Sequence, residues 1–167
     1  DDTVSVEPII AREDTVRNLQ ENLVMFYTGL THDANRILSE QKRNIVKEDK
    51  VENLIQMCEL AQNMKEALEQ NEIKDFGAIL NEGWVRKREL AGSISNPKID
   101  GLYECAMQNG ASGGKLLGAG GGGFLLFYCP KEKQELLQEK LGLKRFDFRF
   151  EHDGSSVVYI GDKYWEG

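Results

Sequence analysis

Eight glycines surround one lysine between residues 110 and 123, in the run Gly110-Ala111-Ser112-Gly113-Gly114-Lys115-Leu116-Leu117-Gly118-Ala119-Gly120-Gly121-Gly122-Gly123. Glycine loses more conformational freedom on folding than any other residue, so such a run is costly. It persists where backbone must turn through positive φ, or where another group must come very close. Bare backbone N–H groups beside an ammonium also offer a seat for an anion, phosphate above all. Lys115 and the loop Gly118, Ala119, Gly120, Gly121, Gly122 and Gly123 are therefore the first candidate binding residues. The same run suits a glycine-rich hairpin or bulge against which another element packs. Local sequence leaves both uses open.

Two familiar phosphate motifs do not fit. Gly118 to Gly123 spells G-x-G-x-x-G, but the dinucleotide fingerprint needs a strand before it and a helix after it. Here helix-like sequence precedes, and the apolar run Phe124-Leu125-Leu126-Phe127-Tyr128-Cys129 reads as a strand that follows. Gly110 to Lys115 resembles a Walker A loop one residue short, with Leu116 where Ser or Thr is needed.

The elements that must position this loop can be read along the chain. Val4, Val6, Ile9 and Ile10 around Pro8 predict a first strand, with the proline at a sheet edge or near a strand end. Residues 13–20 predict a short helix or turn, and Asn22 to Gly29 a second strand. Thr31-His32-Asp33 offers N-cap side chains for a helix over 33–44, with Ala34, Ile37, Leu38 and Gln41 on one face. Val51, Leu54, Ile55, Cys58, Ala61, Met64 and Leu68 recur at helical spacing and predict a helix from Asp49 to Gln70 packed on the core by that stripe. A further helix is predicted from Asn71 to Ala91, with Ile73, Phe76, Ile79, Leu80 and Trp84 inward. Another begins at Ser95-Asn96-Pro97. After the glycine loop and its strand, Pro130 opens an amphipathic helix to about Leu141. Phe146 to Phe150 alternates as a half-buried strand, Asp153-Gly154 is a turn, and Ser156 to Ile160 a last strand. The sum is one α+β domain over residues 1–167, an antiparallel sheet of about four strands with helices mainly on one face.

Composition bounds the function. The 167 residues are 40% hydrophobic and 29% charged, ordinary for a soluble globular chain. A net charge of −7 argues against nucleic acid as a partner. Neither a signal peptide nor an apolar run of membrane length is read in the sequence. Cys58, Cys105 and Cys129 are far apart in apolar surroundings and read as reduced, buried thiols of a cytoplasmic protein. His32 and His152 are too far apart to predict a metal site. Asp1-Asp2-Thr3 lacks a Met and runs directly into predicted strand, which is expected of a piece of a longer protein.

The whole pattern resembles the C-terminal domain of the GHMP kinases, the superfamily of galactokinase, homoserine kinase, mevalonate kinase and phosphomevalonate kinase. Lys115 to Phe124 is similar to that family's third motif. Phe26-Tyr27-Thr28-Gly29, Trp84-Val85-Arg86-Lys87 and Gly110 to Lys115 bring the resemblance nearest to the branch that phosphorylates D-glycero-D-manno-heptose 7-phosphate at its anomeric carbon. Bifunctional fucokinases are close to it. The likeness extends over roughly residues 3–160.

The resemblance implies a ferredoxin-like domain and transfer of a phosphoryl group from ATP with Mg²⁺ to a sugar or sugar phosphate. It implies that the serine-rich phosphate loop, the metal-binding acid and the catalytic Asp lie in an N-terminal kinase domain of the same polypeptide. This chain then holds no catalytic residue and no metal ligand, and ATP and Mg²⁺ are bound chiefly by that other domain. The Lys115 and Gly118–Gly123 segment lies against nucleotide and substrate, where added side chains would block approach of the reacting groups. His32, Trp84 and Lys87 are further substrate-binding candidates, with Arg86 beside them. Where the family typically carries Arg after the threonine, this chain has His32. The alternative reading of these positions is a helix-capping or surface histidine, a core tryptophan and solvated cations. A homodimer through a face left open by the absent domain is also expected. The rival function is a free-standing ferredoxin-like module for ligand binding or dimerisation. The kinase reading requires a reading frame extending upstream with a Gly/Ser-rich loop, and the rival a Met close to Asp1.

Overall fold

The computed structural model describes residues 4–31, 33–151 and 154–157. Six helices and four strands follow in the order α1 Glu13–Asn22, β1 Leu23–Tyr27, α2 Ala34–Asn44, α3 Glu48–Glu69, α4 Phe76–Leu90, α5 Pro97–Gln108, β2 Gly113–Leu116, β3 Phe124–Tyr128, α6 Gln134–Leu141 and β4 Lys144–Phe146. A one-turn 3₁₀ helix, Lys131–Lys133, precedes α6. The strands lie in the order β2-β3-β1-β4, and every neighbouring pair is antiparallel. β3 thus sits between β1 and β2, the ferredoxin-like arrangement that the family resemblance implies.

Alternation along the strands sorts the side chains onto two faces. Val24, Phe26, Leu116, Leu125 and Phe127 share one face and form the main core with Ile37 of α2, Trp84 of α4, Ile99 and Tyr103 of α5 and Leu137 of α6. Leu23, Leu126 and Tyr128 turn to the other face, where Leu19, Ile73 and Phe76 make a smaller cluster. Helices therefore cover mainly one face. Local signals set several ends. Asp33 Oδ1 accepts from the amides of Asn35 and Arg36 at 3.0 and 3.2 Å and starts α2. Asn96 Oδ1 accepts from Lys98 and Ile99, both at 3.1 Å, and Pro97 opens α5.

Several expectations fail for physical reasons. Residues 4–10 form no strand. Val4 and Val6 are 85% and 89% exposed, and among the described residues no strand pairs with them to complete a ladder. The last predicted strand is absent at Ser156 and Val157, and its remainder lies outside the described residues, as does His152. β4 stops at Phe146; Phe148 and Phe150 instead cover the smaller cluster. α4 starts at Phe76 because Asn71, at φ 62°, breaks the chain after α3. The stripe on α3 is broader than its packing. Leu54, Met57, Met64 and Leu68 pack inward, while Val51, Ile55 and Cys58 stay exposed. Of the three thiols only Cys129 is buried, and burial pushes its pKa up to about 11.

Candidate functional site

A short strand, β2, precedes the glycine loop where the sequence reads as helix, so the loop closes a β2–β3 hairpin. The ladder continues one step past β2, Leu117 N–H donating to the Phe124 carbonyl at 2.8 Å. The six residues beyond it turn through φ values of 80° at Gly118, 125° at Gly120, 76° at Gly121 and 95° at Gly123.

Side chains from separate elements hold the loop by its carbonyls. Lys87 Nζ of α4 donates to Gly118 O at 2.6 Å. Gln41 Nε2 of α2 donates to Ala119 O at 3.2 Å. Asn96 Nδ2, at the cap of α5, donates to Gly121 O at 3.3 Å. Thr28 Oγ1, just past β1, donates to Gly123 O at 2.8 Å. Two loop amides are also fixed, Gly121 N to Ile94 O at 2.8 Å and Gly123 N to Leu30 O at 3.0 Å. Among the described residues the amides of Gly118, Ala119, Gly120 and Gly122 have no protein acceptor. Four of the six carbonyls are spent on the protein; of the four unpaired amides, those of Gly118 and Ala119 lie on exposed or half-buried residues, while Gly120 and Gly122 are buried against Ile94 and Leu30.

Close packing explains two of the glycines. A Cβ at Gly120 would fall 2.7 Å from the Ile94 Cα, and one at Gly122 would fall 2.6 Å from the Leu30 carbonyl oxygen. The hairpin use of the run is therefore present, alongside the free amides. Next to the loop, a cleft of about 320 Å³ is lined by Asp33, Arg36, Ile37, Ser93, Ser95, Asn96 and Gly121. Its floor is braced by Glu40, which accepts from Gly92 N at 3.0 Å and from the Ser93 hydroxyl. The Ser93 bond is the largest of the influences holding the Glu40 carboxyl below its ordinary range. Arg36 is exposed at this cleft and makes no ion pair among the described residues.

The predicted site residues divide into two places. Lys87 meets the loop through Gly118. Lys115 lies in β2, makes no hydrogen bond to the loop among the described residues, and lines a groove between α3 and α4 with Lys87 and Trp84. Burial, and then the neighbouring Lys115 charge, pushes the Lys87 pKa down. Trp84 is a core residue, 1% exposed. His32 lies outside the described residues. The sequence reading missed Thr28, Gln41, Asn96 and Arg36 as parts of the site. Thr28 and Asn96 each stood at a strand end or helix cap beside the motifs, which was the available signal. Among the described residues no three His, Cys, Asp or Glu side chains gather as a metal site. No helix there is long and apolar enough to cross a membrane.

A four-stranded ferredoxin-like sheet with a glycine loop held by side chains from four places in the chain defines the fold class. The family model for the GHMP kinases C-terminal domain matches residues 64–147, half of the chain, and the chain belongs to that family. It is 30% identical over 155 residues to the D-glycero-alpha-D-manno-heptose 7-phosphate kinase of Campylobacter jejuni, covering 90% of this chain and 45% of that protein. It is 32% identical over 141 residues to the bifunctional fucokinase/GDP-fucose pyrophosphorylase of Arabidopsis thaliana, covering 83% of this chain and 13% of that protein. The mevalonate kinase of Methanococcus jannaschii has the same fold, with a TM-score of 0.64 at 24% identity over 81% of this chain and 41% of that one. The chain thus spans less than half the length of the curated relatives it matches.

Proposed function

We propose that this chain is the C-terminal half of an ATP-dependent sugar kinase whose acceptor is D-glycero-D-manno-heptose 7-phosphate, phosphorylated at its anomeric oxygen. One observation carries the reading: the glycine loop is clamped by four side chains through its carbonyls while the amides of Gly118 and Ala119, on exposed or half-buried residues, have no protein acceptor among the described residues. A loop held in this way presents fixed N–H dipoles without reorganisation when negative charge arrives. The likeness to the heptose 7-phosphate kinase supports the acceptor.

The donor set suits phosphate oxygens, and ATP supplies the transferred group. Gly118 and Ala119 offer amides to it or to the nucleotide-binding loop of an upstream N-terminal domain. Arg36 stands one turn beyond the N-cap of α2 and offers a guanidinium to the acceptor's phosphate, in place of the arginine that His32 replaces. Mg²⁺ is held chiefly by acids of the upstream domain, as the family resemblance implies. The two domains close on each other, and the half by itself is inactive. Any homodimer forms through the apolar surface that closure covers. The compartment is the cytoplasm, which supplies ATP and sugar phosphates.

The test is turnover by the enzyme encoded by the complete reading frame. With Mg²⁺–ATP, ADP release is expected with D-glycero-D-manno-heptose 7-phosphate and much less with L-fucose or mevalonate. Preference for fucose or mevalonate would overturn the acceptor, and no ADP release with any sugar would overturn the kinase. Gly121→Val in that enzyme is expected to abolish turnover; unchanged kcat and KM for both substrates would remove the loop from the mechanism.

A further inference from the structure

A groove of about 240 Å³ runs between α3 and α4, walled by Met57 and Met64 on one side and Leu80 and Trp84 on the other, with Lys87 and Lys115 along it. It shares no lining residue with the cleft at Arg36 and Asn96. Three features of this groove have no structural explanation among the described residues.

The first is its charge. Two ammonium groups sit together in apolar surroundings, on a chain whose net charge is −7. Neither is in an ion pair among the described residues. Burial and the Lys115 charge both act against the charged form of Lys87. Lys87 spends one N–H on Gly118 and keeps two more. Partly buried like charges without a counter-ion are unfavourable, and an anion relieves them.

The second is Gly83, in the middle of α4 and on the groove wall. Glycine in a helix interior is unfavourable, so it needs a reason. Gly77 of the same helix has one: a Cβ there would fall 1.9 Å from Ser112 Oγ and 2.9 Å from Ser112 Cβ. A Cβ at Gly83 would meet nothing within 4 Å. No neighbour demands this glycine, and its effect is to keep the groove open.

The third is Trp84. It is 1% exposed, and its Nε1–H has no acceptor among the described residues. Buried donors are almost always paired.

We propose that this groove binds a small anion with an aromatic or short aliphatic body, its negative group between Lys87 and Lys115 and its apolar part against Trp84 and the methionines. The volume falls just under that of ordinary ligand pockets, about 300 Å³ and upward, and so limits the body to about one ring. Aryl and alkyl phosphates or carboxylates are the class. Because Lys87 also holds Gly118, the bound anion and the glycine loop share one ammonium. The inference stands on the groove alone and does not require the kinase reading.

The probe is phenyl phosphate, titrated into the chain and followed by calorimetry and by Trp84 fluorescence in a Trp165→Phe background. Inorganic phosphate tests the charge without the ring, and phenol the ring without the charge. Phenyl phosphate is expected to bind at least about tenfold tighter than either, and Lys115→Gln to weaken it by about tenfold. Gly83→Leu fills the groove and removes the response, with a melting temperature equal to or above that of the parent, so loss of folding is not the cause. No binding of phenyl phosphate, equal binding of inorganic phosphate, or an unchanged response in Gly83→Leu would overturn the proposal.

Discussion

Lys87 of α4 donates to the carbonyl of Gly118 at 2.6 Å, joining the helix at the sheet edge to the first residue of the glycine loop. The ammonium holds position rather than chemistry, and its loss frees one end of the loop. Lys87→Met in the complete enzyme is expected to lower kcat about 10- to 100-fold, the cost of misplacing a reacting group by about an ångström. The KM for ATP should change much less, and the melting temperature should stay within a few degrees. Lys87→Arg, which restores a donor, is expected to recover part of kcat. A melting temperature that collapses in step with activity would show a structural role only.

Gly120 and Gly118 are both in the loop, but they are glycine for different reasons. At Gly120 a Cβ would lie 2.7 Å from Ile94 Cα and 2.9 Å from its carbonyl oxygen, and φ is 125°. At Gly118 φ is 80° but the space is open. Gly120→Ala should therefore cost about 3 kcal/mol, strain and overpacking together, and Gly118→Ala about 1 kcal/mol from backbone conformation alone. In thermal melts of this chain the two should fall by roughly 8 and 3 °C. Equal losses would mean that the Ile94 backbone gives way.

Asn96 does two jobs with its two side-chain atoms: Oδ1 caps α5, and Nδ2 holds Gly121 O. Substitution separates them. Asn96→Asp keeps the cap and loses the donor, and should remain within about 1 kcal/mol of the parent. Asn96→Ala loses both and should cost about 2 kcal/mol. Both should speed hydrogen exchange at the Gly121 amide, which donates to Ile94 O. Exchange slowed only by the parent side chain confirms the link from cap to loop; unchanged exchange in Asn96→Asp removes it.

The fold was legible where the chain signals locally. Thr31-His32-Asp33 and Ser95-Asn96-Pro97 marked helix starts, with Asp33 and Asn96 proving to be the caps, and the apolar run at Phe124 marked a central strand, as its pairing with β1 shows. β2 was not legible, because Gly113-Gly114-Lys115-Leu116 has the composition of a loop and becomes strand only through its ladder to β3 and the close fit of Gly113 on Gly77. Val4 to Ile10 failed the other way: the alternation is there, the partner strand is not. In the site, the glycines were visible but their clamps were not. Gln41 and Thr28 act across 78 and 95 residues of sequence, a relation no local pattern carries. Lys115 looked like part of the loop by spacing, yet the register of β2 places it beside Lys87 in the groove.

Tyr103 offers a test of how β2 is held in the core. Its hydroxyl lies 2.8 Å from Asn81 Oδ1 and 3.1 Å from Gly114 O, and it accepts from Gly114 N at 3.1 Å. The ring is 6% exposed and packs against Trp84 and Phe127. Tyr103→Phe leaves the Gly114 amide without that acceptor and should cost about 1–3 kcal/mol at neutral pH. Burial pushes the hydroxyl pKa up from 10 to about 12. The folded state then holds this proton more tightly than the unfolded state, so its contribution is complete below pH 10. It is lost as the pH rises from 10 towards 12, at up to about 1.4 kcal/mol per pH unit. Tyr103→Phe has no such proton. Urea melts of both proteins between pH 9 and 11.5 should therefore show the stability gap narrowing with pH, while the contribution of every other tyrosine cancels in the difference. Parallel curves would mean that the hydroxyl titrates as it does in water and that β2 is not sealed against solvent at Gly114.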